Sequence, residues 1–445
     1  MSLSGLLQTY QKILREFISF PSISTDSNFV SALRQTADFL QRLFQQHGFD
    51  CQRIEGYGNP MIVARYIVDP SFKTCLIYGH YDVQPANQDD GWASDPFAVV
   101  EKDGRLIARG IIDNKGQVLV HMATIFDLIS AESLGYNVVL FLEGNEETGS
   151  PAMEQFVRDH RQLLQADFAL ISDGEISGGH PIIEAGFRGG FNSTLTVKTG
   201  HTDLHSGIYG GASPNAAFEL SKFLAQLFDD NNRVTIVNFY DQVDEISVEL
   251  RKQNKMIPFQ FDEHQKTTGN KALVNEPEHD FYTQVGLRPT IQITSLSSGY
   301  MGEGYRNGIP YQASVKINFR LVKNQQPDII VQQFQEHVRL FFPQHVEIDL
   351  VINDPYEGIK LNLDNDYVVK AKNVLEQVFG KQVFFKYSGG GLPIVTYFDQ
   401  ILSIPQVLVP LANEDCNMHA VNENFELEQL EKSLEFSRIF FSSQS

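Results

Sequence analysis

The sequence predicts an α/β protein in which a mostly parallel sheet flanked by helices is interrupted by an inserted ferredoxin-like α+β domain. Three observations predict it. The chain has 445 residues, more than one hydrophobic core usually supports. Short apolar runs, TCLIYG, NVVLFL and DFALIS, alternate with helical stretches such as Gln117 to Leu128 and Pro151 to Leu164, the rhythm of strands covered on both faces. From about residue 190 the order becomes strand, helix, strand, strand, helix, strand, which is that of a split βαβ unit.

Taken in order, Leu6, Leu7, Tyr10, Ile13, Leu14, Phe17 and Ile18 recur at helical spacing with Lys12, Arg15 and Glu16 between them. This reads as an amphipathic core helix, not a signal peptide. A second helix over residues 31–47 carries Leu33, Ala37, Leu40, Leu43 and Phe44 on one face and ends at Gly48. After the first sheet-forming region, FNSTLTVKT reads as an alternating strand. SPNAAFELSKFLAQLF reads as a helix capped by Ser213 with Pro214 at its first position. IQITSL and ASVKINFRLV are strands, PDIIVQQFQEHVRL is a helix and HVEIDLVI a last strand. Residues 230–290 are polar and broken by charges, an insertion to which the pattern assigns no structure. Tyr367 to Phe379 and SIPQVLVPL then resume the first texture. The expected division is a catalytic domain in two parts, residues 1–188 and 356–445, with a lid or dimerisation domain at 189–355.

Charge excludes some functions. The formal net charge of -20 repels phosphate backbones and anionic membrane surfaces, so neither nucleic acid nor membrane is an expected partner. Cysteines number three and show no CxxC or Cys/His spacing, which argues against a disulfide framework and a thiolate zinc site. No apolar run approaches bilayer length, and a reducing cytoplasm is the expected location.

The chemistry lies in the polar residues at the strand ends. TCLIYG runs into His80 and Asp82, NVVLFLEGN into Glu146 and Glu147, DFALIS into Asp173, and VLVPL leads to His419; Asp113, in RGIIDNKG, precedes a helix. Ligands of open α/β sheets bind at the carboxyl ends of the strands, so these groups converge on one rim. Taken singly, Glu146-Glu147 and His419 read as loop residues, but so many such residues at strand ends do not read as coincidence. Crowded carboxylates repel and are costly to desolvate unless a cation compensates them. Two divalent ions can each take one His, one terminal carboxylate and a share of a bridging carboxylate. Nitrogen and oxygen ligands without thiolate point to Zn²⁺, with Mn²⁺ or Co²⁺ as alternatives.

GHYDVQP, ARGIIDNKG, EGNEETGS, SDGE, LHSGIYGG and the late His419 together resemble the dinuclear zinc metallopeptidases that include aminoacylase, carboxypeptidase G and carnosinase. The resemblance spans nearly the whole chain in matching order, and HYDVQP is most similar to the carnosinase-type cytosolic dipeptidase branch. It implies that Asp113 bridges two metals, that His80 and Asp173 complete one site, and that Glu147 and His419 complete the other. Glu146 matches the general base and Asp82 the residue supporting His80. A cis peptide is implied at Asp113-Asn114. Chemically, water bridged between two ions becomes hydroxide near neutrality, and Glu146 takes its proton and later passes it to the leaving amine. The metal and a further donor stabilise the oxyanion.

Read alone, His205 before Ser-Gly is a turn residue and Arg320 a solvated strand arginine. The resemblance gives His205 a role across a dimer at the oxyanion. It gives Arg320 a grip on the substrate carboxylate, for which a planar guanidinium is suited. Asn307 in RNGIP stands where carnosinase-type enzymes carry a threonine, and its amide can still donate to an oxyanion. SGGGLPIV offers backbone N–H groups near a helix start, and Gly391 stands where that branch places a serine. The expected function is hydrolysis of the amide bond of dipeptides or short peptides with a free carboxylate, by a homodimer joined through the inserted domain. The alternative is an amidohydrolase acting on an N-acyl amino acid. A non-catalytic metal-binding scaffold fits less well, because Glu146 is not needed merely to hold metal.

Overall fold

A computed structural model of the protein describes residues 2–443. The apolar runs become a six-stranded sheet in the order Asp50–Ile54, Met61–Tyr66, Asn137–Glu143, Thr74–His80, Phe168–Ile171 and Gln406–Leu408. The last four of these run parallel, and the first two are antiparallel additions at one edge. Every residue of Asn137–Glu143 is buried, as a continuous apolar run covered on both faces requires. Successive side chains of a strand point to opposite faces, and two separate cores result. Ile77 and Leu140 pack with Leu6, Tyr10 and Phe44 on one side, while Leu76, Tyr78, Val139 and Phe141 pack with Phe156 and Phe398 on the other.

The helices occupy the predicted faces. Leu3–Ile18 and Val30–Gln46 bury their apolar stripes in the first core, and Gly48, at φ 83, takes the left-handed conformation just beyond the second helix. Lys115–Ser130 is buried along almost its whole length because it lies between the sheet and both Leu3–Ile18 and Leu427–Phe441.

A second, four-stranded antiparallel sheet has the order Thr290–Ser298, Gln312–Leu321, Gly189–Lys198, Glu347–Tyr356. Helices Ala216–Ala225 and Pro327–Phe341 cover one face, with Phe223, Phe319 and Phe334 in a core of their own. Ala313, Val315, Ile317, Phe319 and Leu321 point into that core, the alternation the sequence predicts.

Three local expectations need correction. The helix read as starting after Ser213 begins at Ala216, because the Asn215 side chain accepts from the Phe218 N–H and caps it, leaving Pro214 outside. The helix expected from Pro151 to Leu164 is confined to Met153–Asp159. Ser150 and its N–H still belong to the preceding turn, closed onto the Asn145 carbonyl. Within 230–290 lie three short helices, Val248–Met256, Phe261–Thr268 and Phe281–Leu287, the first and last joined by a buried Asn254 to Thr283 hydrogen bond. No helix among the described residues is long and apolar enough to cross a membrane.

Candidate metal centre

The parallel strands end at one edge and deliver the polar groups there. His80 closes Thr74–His80, and Asp173 lies two residues past Phe168–Ile171. Glu146 and Glu147 form a 3₁₀ turn after Asn137–Glu143. Asp113 immediately precedes the Asn114 cap of Lys115–Ser130, and the Asp113-Asn114 peptide is cis. Gly79 makes room for this junction: a Cβ there would lie 2.6 Å from the Asn114 side-chain oxygen. Asn114 in turn donates to the Ser172 carbonyl at 2.6 Å, beside Asp173. His419 arrives on a loop after Gln406–Leu408 with φ 60, a conformation uncommon for a residue with a side chain.

The central geometric fact is that the two oxygens of Asp113 face two different imidazoles. Oδ1 lies 2.9 Å from His80 Nε2, and Oδ2 lies 2.6 Å from His419 Nε2. Asp173 is 3.7 Å from His80 Nε2, and Glu147 is 3.6 Å from His419 Nε2. Two three-residue groups result, His80, Asp113, Asp173 and Asp113, Glu147, His419, sharing Asp113. Glu146 reaches to 4.0 Å of His80 Nε2 beside them.

This arrangement has unsatisfied valence of the kind a cation fills. His80 Nδ1 lies 3.0 Å from the Asp82 carbonyl, so Nδ1 carries a hydrogen and Nε2 is the nitrogen that faces the carboxylates. His80 Nε2 and Glu147 Oε1 are both buried without a hydrogen-bond partner. Burial and the neighbouring Asp113 charge push Glu147 and Asp173 up to about 7, and burial drives Glu146 well above the usual carboxylate range. Burial alone would raise Asp113 too, but the two imidazoles outweigh it and hold this carboxyl low. An ion in each group would take the lone pairs and relieve the crowding, so the residues fit a dinuclear site with one nitrogen and two carboxylates per ion.

Asp82 acts differently from the simple expectation of a carboxylate on His80. Its Oδ1 is 3.4 Å from Nδ1, but its hydrogen bonds come from the Glu146 and Glu147 backbone N–H groups, at 3.2 and 3.1 Å. It therefore anchors the glutamate turn as well as the imidazole. Sequence reasoning missed Glu423. Fully buried, it accepts from Arg109 Nη1 and from the N–H groups of Gly110, Ile112 and Asp113, while Arg109 Nη2 donates to the carbonyl of Ala420, next to His419.

The expected substrate residues fall into two further groups. Arg320 donates to Tyr356, whose ring lies against Gly391. Asn307 and His205 are neighbours, the Asn307 carbonyl accepting from Ser206 and His205 Nδ1 from Gly207, on an exposed part of the inserted region. The grouping of Glu276, Glu278 and His279 elsewhere is an ion-pair cluster, since Glu276 receives both Nε and Nη2 of Arg288 at 2.8 Å.

Residues 76–441 match the profile of peptidase family M20/M25/M40. The Cys-Gly metallodipeptidase dug1 of Schizosaccharomyces pombe is 28% identical, covering 98% of this chain and 96% of its own. Among solved structures, the M20 family metallo-carboxypeptidase Sso-CP2 from Sulfolobus solfataricus superposes with a TM-score of 0.88 at 28% identity, over 97% of this chain and 98% of that one. Human carnosine dipeptidase 1 gives a TM-score of 0.84 at 26% identity, over 98% of each chain.

Proposed function

The chain belongs to peptidase family M20/M25/M40, and from that premise we propose that it is a dinuclear metal-dependent dipeptidase acting on short peptides with a free carboxylate. The observation that carries the reading is the Asp113 carboxylate, divided between His80 and His419 with Glu146 alongside. Its metallodipeptidase relatives, matched over nearly their whole length, support the substrate class.

In this reading His80, Asp113 and Asp173 would hold one ion and Asp113, Glu147 and His419 the other, with Zn²⁺ the ion that the nitrogen and carboxylate donor set suits. When bound, the ions polarise the scissile carbonyl and acidify water. Glu146 takes a proton from the attacking water and returns it to the leaving amine. Asp82 fixes Glu146 and Glu147 through their backbone N–H groups. Arg320 receives the substrate carboxylate, with Gly391 in the loop beside it.

The active form in this reading is a homodimer. Thr290–Ser298 is an edge strand exposing Ile293 and Leu296, and Ile208, Tyr300, Met301 and Tyr305 are exposed in the same inserted region. A second copy on that edge would cover them and bring the partner's His205 and Asn307 toward the site. Three unpaired cysteines, Cys51, Cys75 and Cys416, suit a reducing cytoplasm.

The deciding experiment assays metal-stripped protein reloaded with Zn²⁺, Mn²⁺ or Co²⁺ on dipeptides and N-acyl amino acids. Dipeptide turnover is expected. Turnover of N-acyl amino acids alone would replace this reading with the amidohydrolase one.

A further inference from the structure

We infer that Tyr356 is a specificity-determining residue, a phenol that aims the Arg320 guanidinium at the substrate carboxylate and closes that subsite against Gly391. The inference rests on the dipeptidase reading above and begins with strand register. Gly190 is the cross-strand partner of both Arg320, on one side, and Tyr356, on the other. Residues opposite one another in a sheet share a face, so these two side chains stand on the same face, two strand spacings apart, roughly 10 Å between backbones. Phe319 and Leu321 point into the helix-covered core, which puts Arg320 on the other face. The residue between them is a glycine, where a Cβ would lie 2.0 Å from the Phe319 carbonyl oxygen. Arg320 Nη1 crosses that span and donates to Tyr356 Oη at 3.2 Å.

The far side of the phenol meets the glycine loop of the catalytic sheet. A Cβ on Gly391 would lie 2.2 Å from Tyr356 Oη and 2.8 Å from its ring, so position 391 cannot carry a side chain while the tyrosine is in place. Arg188 braces the same loop. Its Nε donates to the Gly389 carbonyl at 2.9 Å, its Nη1 to the Arg288 carbonyl at 3.1 Å and its backbone N–H to the Gly390 carbonyl at 3.1 Å. Burial, and then the nearby Arg320 charge, lower Arg188 to about 10.

Two guanidiniums whose hydrogen bonds go to uncharged acceptors, close enough to repel, favour an anion between them. A dipeptide brings one, its terminal carboxylate. The phenol oxygen accepts from Arg320, which leaves its own O–H free to donate to that carboxylate. Tyr356 thereby does two things at once: it restricts the guanidinium to one orientation and adds an O–H donor beside Gly391.

The test uses the metal-loaded full chain and matched pairs of dipeptide and dipeptide amide. Tyr356→Phe is expected to raise KM for the free-carboxylate dipeptide about tenfold, the scale of one hydrogen bond to a charged group, with kcat and the amide unchanged. Gly391→Ser is expected to raise KM in the wild-type background, and adding Tyr356→Ala should relieve that penalty, because contacting residues are not additive. An equal KM rise on dipeptide and amide, or additive penalties in the double variant, overturns the inference. Calorimetric titration with glycine and with glycinamide reads the subsite without turnover. Should the wild type hydrolyse neither substrate yet bind glycine better than glycinamide in a Tyr356-dependent way, the dipeptidase reading falls and the subsite stands. Equal binding of the two by the wild type overturns the subsite itself.

Discussion

The Asp113 backbone N–H donates to the Glu423 carboxylate at 3.1 Å, tying the residue shared by two imidazoles to the loop that carries one of them. Arg109 Nη1 at 2.7 Å, Gly110 N at 3.0 Å and Ile112 N at 2.8 Å fill the remaining lone pairs of that carboxylate. The bond from Arg109 to the Ala420 carbonyl completes a clamp across both loops.

Glu423→Gln should therefore disturb metal binding from a distance. The amide puts a donor where the carboxylate accepts and leaves Arg109 buried without a counter-charge, which costs about 3–5 kcal/mol when a buried pair is broken. Denaturant unfolding of the metal-free protein should show that loss. Metal content after dialysis should fall below two per chain. Wild-type retention of both ions would mean the clamp does not position Asp113.

Glu146→Gln tests the base. The amide preserves shape but takes no proton, so kcat should fall by about 10²- to 10⁴-fold, the usual scale of general-base catalysis. Metal content should stay at two per chain, since Glu146 stands outside both three-residue groups. Loss of metal in this variant would move Glu146 from base to ligand.

The part of the fold and site legible in the sequence came from periodicity and from position at strand ends. His80 and Asp173 stand at or just past buried strands whose apolar runs are continuous, so their common rim could be placed without coordinates. Glu423 could not. In NENFE it reads as one acid of a polar loop, and only the fold brings Arg109 and the turn before Asp113 around it. Tyr356 was hidden for a similar reason, because its meaning depends on sharing Gly190 with a strand distant in sequence. The short helices within 230–290 lack a strong apolar stripe; they are held by scattered contacts, the Asn254 to Thr283 hydrogen bond and the stacked rings of Phe259 and Phe281 among them, which periodicity does not report.

His121 should impose a pH dependence on stability. It lies between Ser172 and Ser437, and burial lowers its pKa from 6.5 to about 3. The unfolded chain takes up a proton near 6.5 that the folded protein refuses, so this contribution is complete above 6.5 and is lost as pH falls toward 3. The slope approaches about 1.4 kcal/mol per pH unit below the unfolded pKa. His121→Gln removes the titrating group. Urea midpoints of metal-free wild type and variant from about pH 7 to about pH 4 should converge as pH falls, and parallel curves would contradict a neutral buried imidazole.

The exposed position of His205 yields the last prediction. Its Nδ1 is held by the Gly207 N–H, and within the chain it neighbours Asn307 and not the His80 cluster. A role in catalysis then requires another copy to bring it in. In a symmetric dimer joined through the inserted region, each site would combine Glu146 of one chain with the histidine of its partner. His205→Ala and Glu146→Gln homodimers should each be nearly inactive. Co-expression with two different tags should give hybrids with one intact site, and a randomly assorted mixture should recover roughly a quarter of wild-type activity, half the dimers being hybrid with one working site of two. Purification through both tags should raise that to roughly half. Recovery absent from doubly purified hybrids, with sedimentation confirming the dimer, would leave His205 without a role at the neighbouring site.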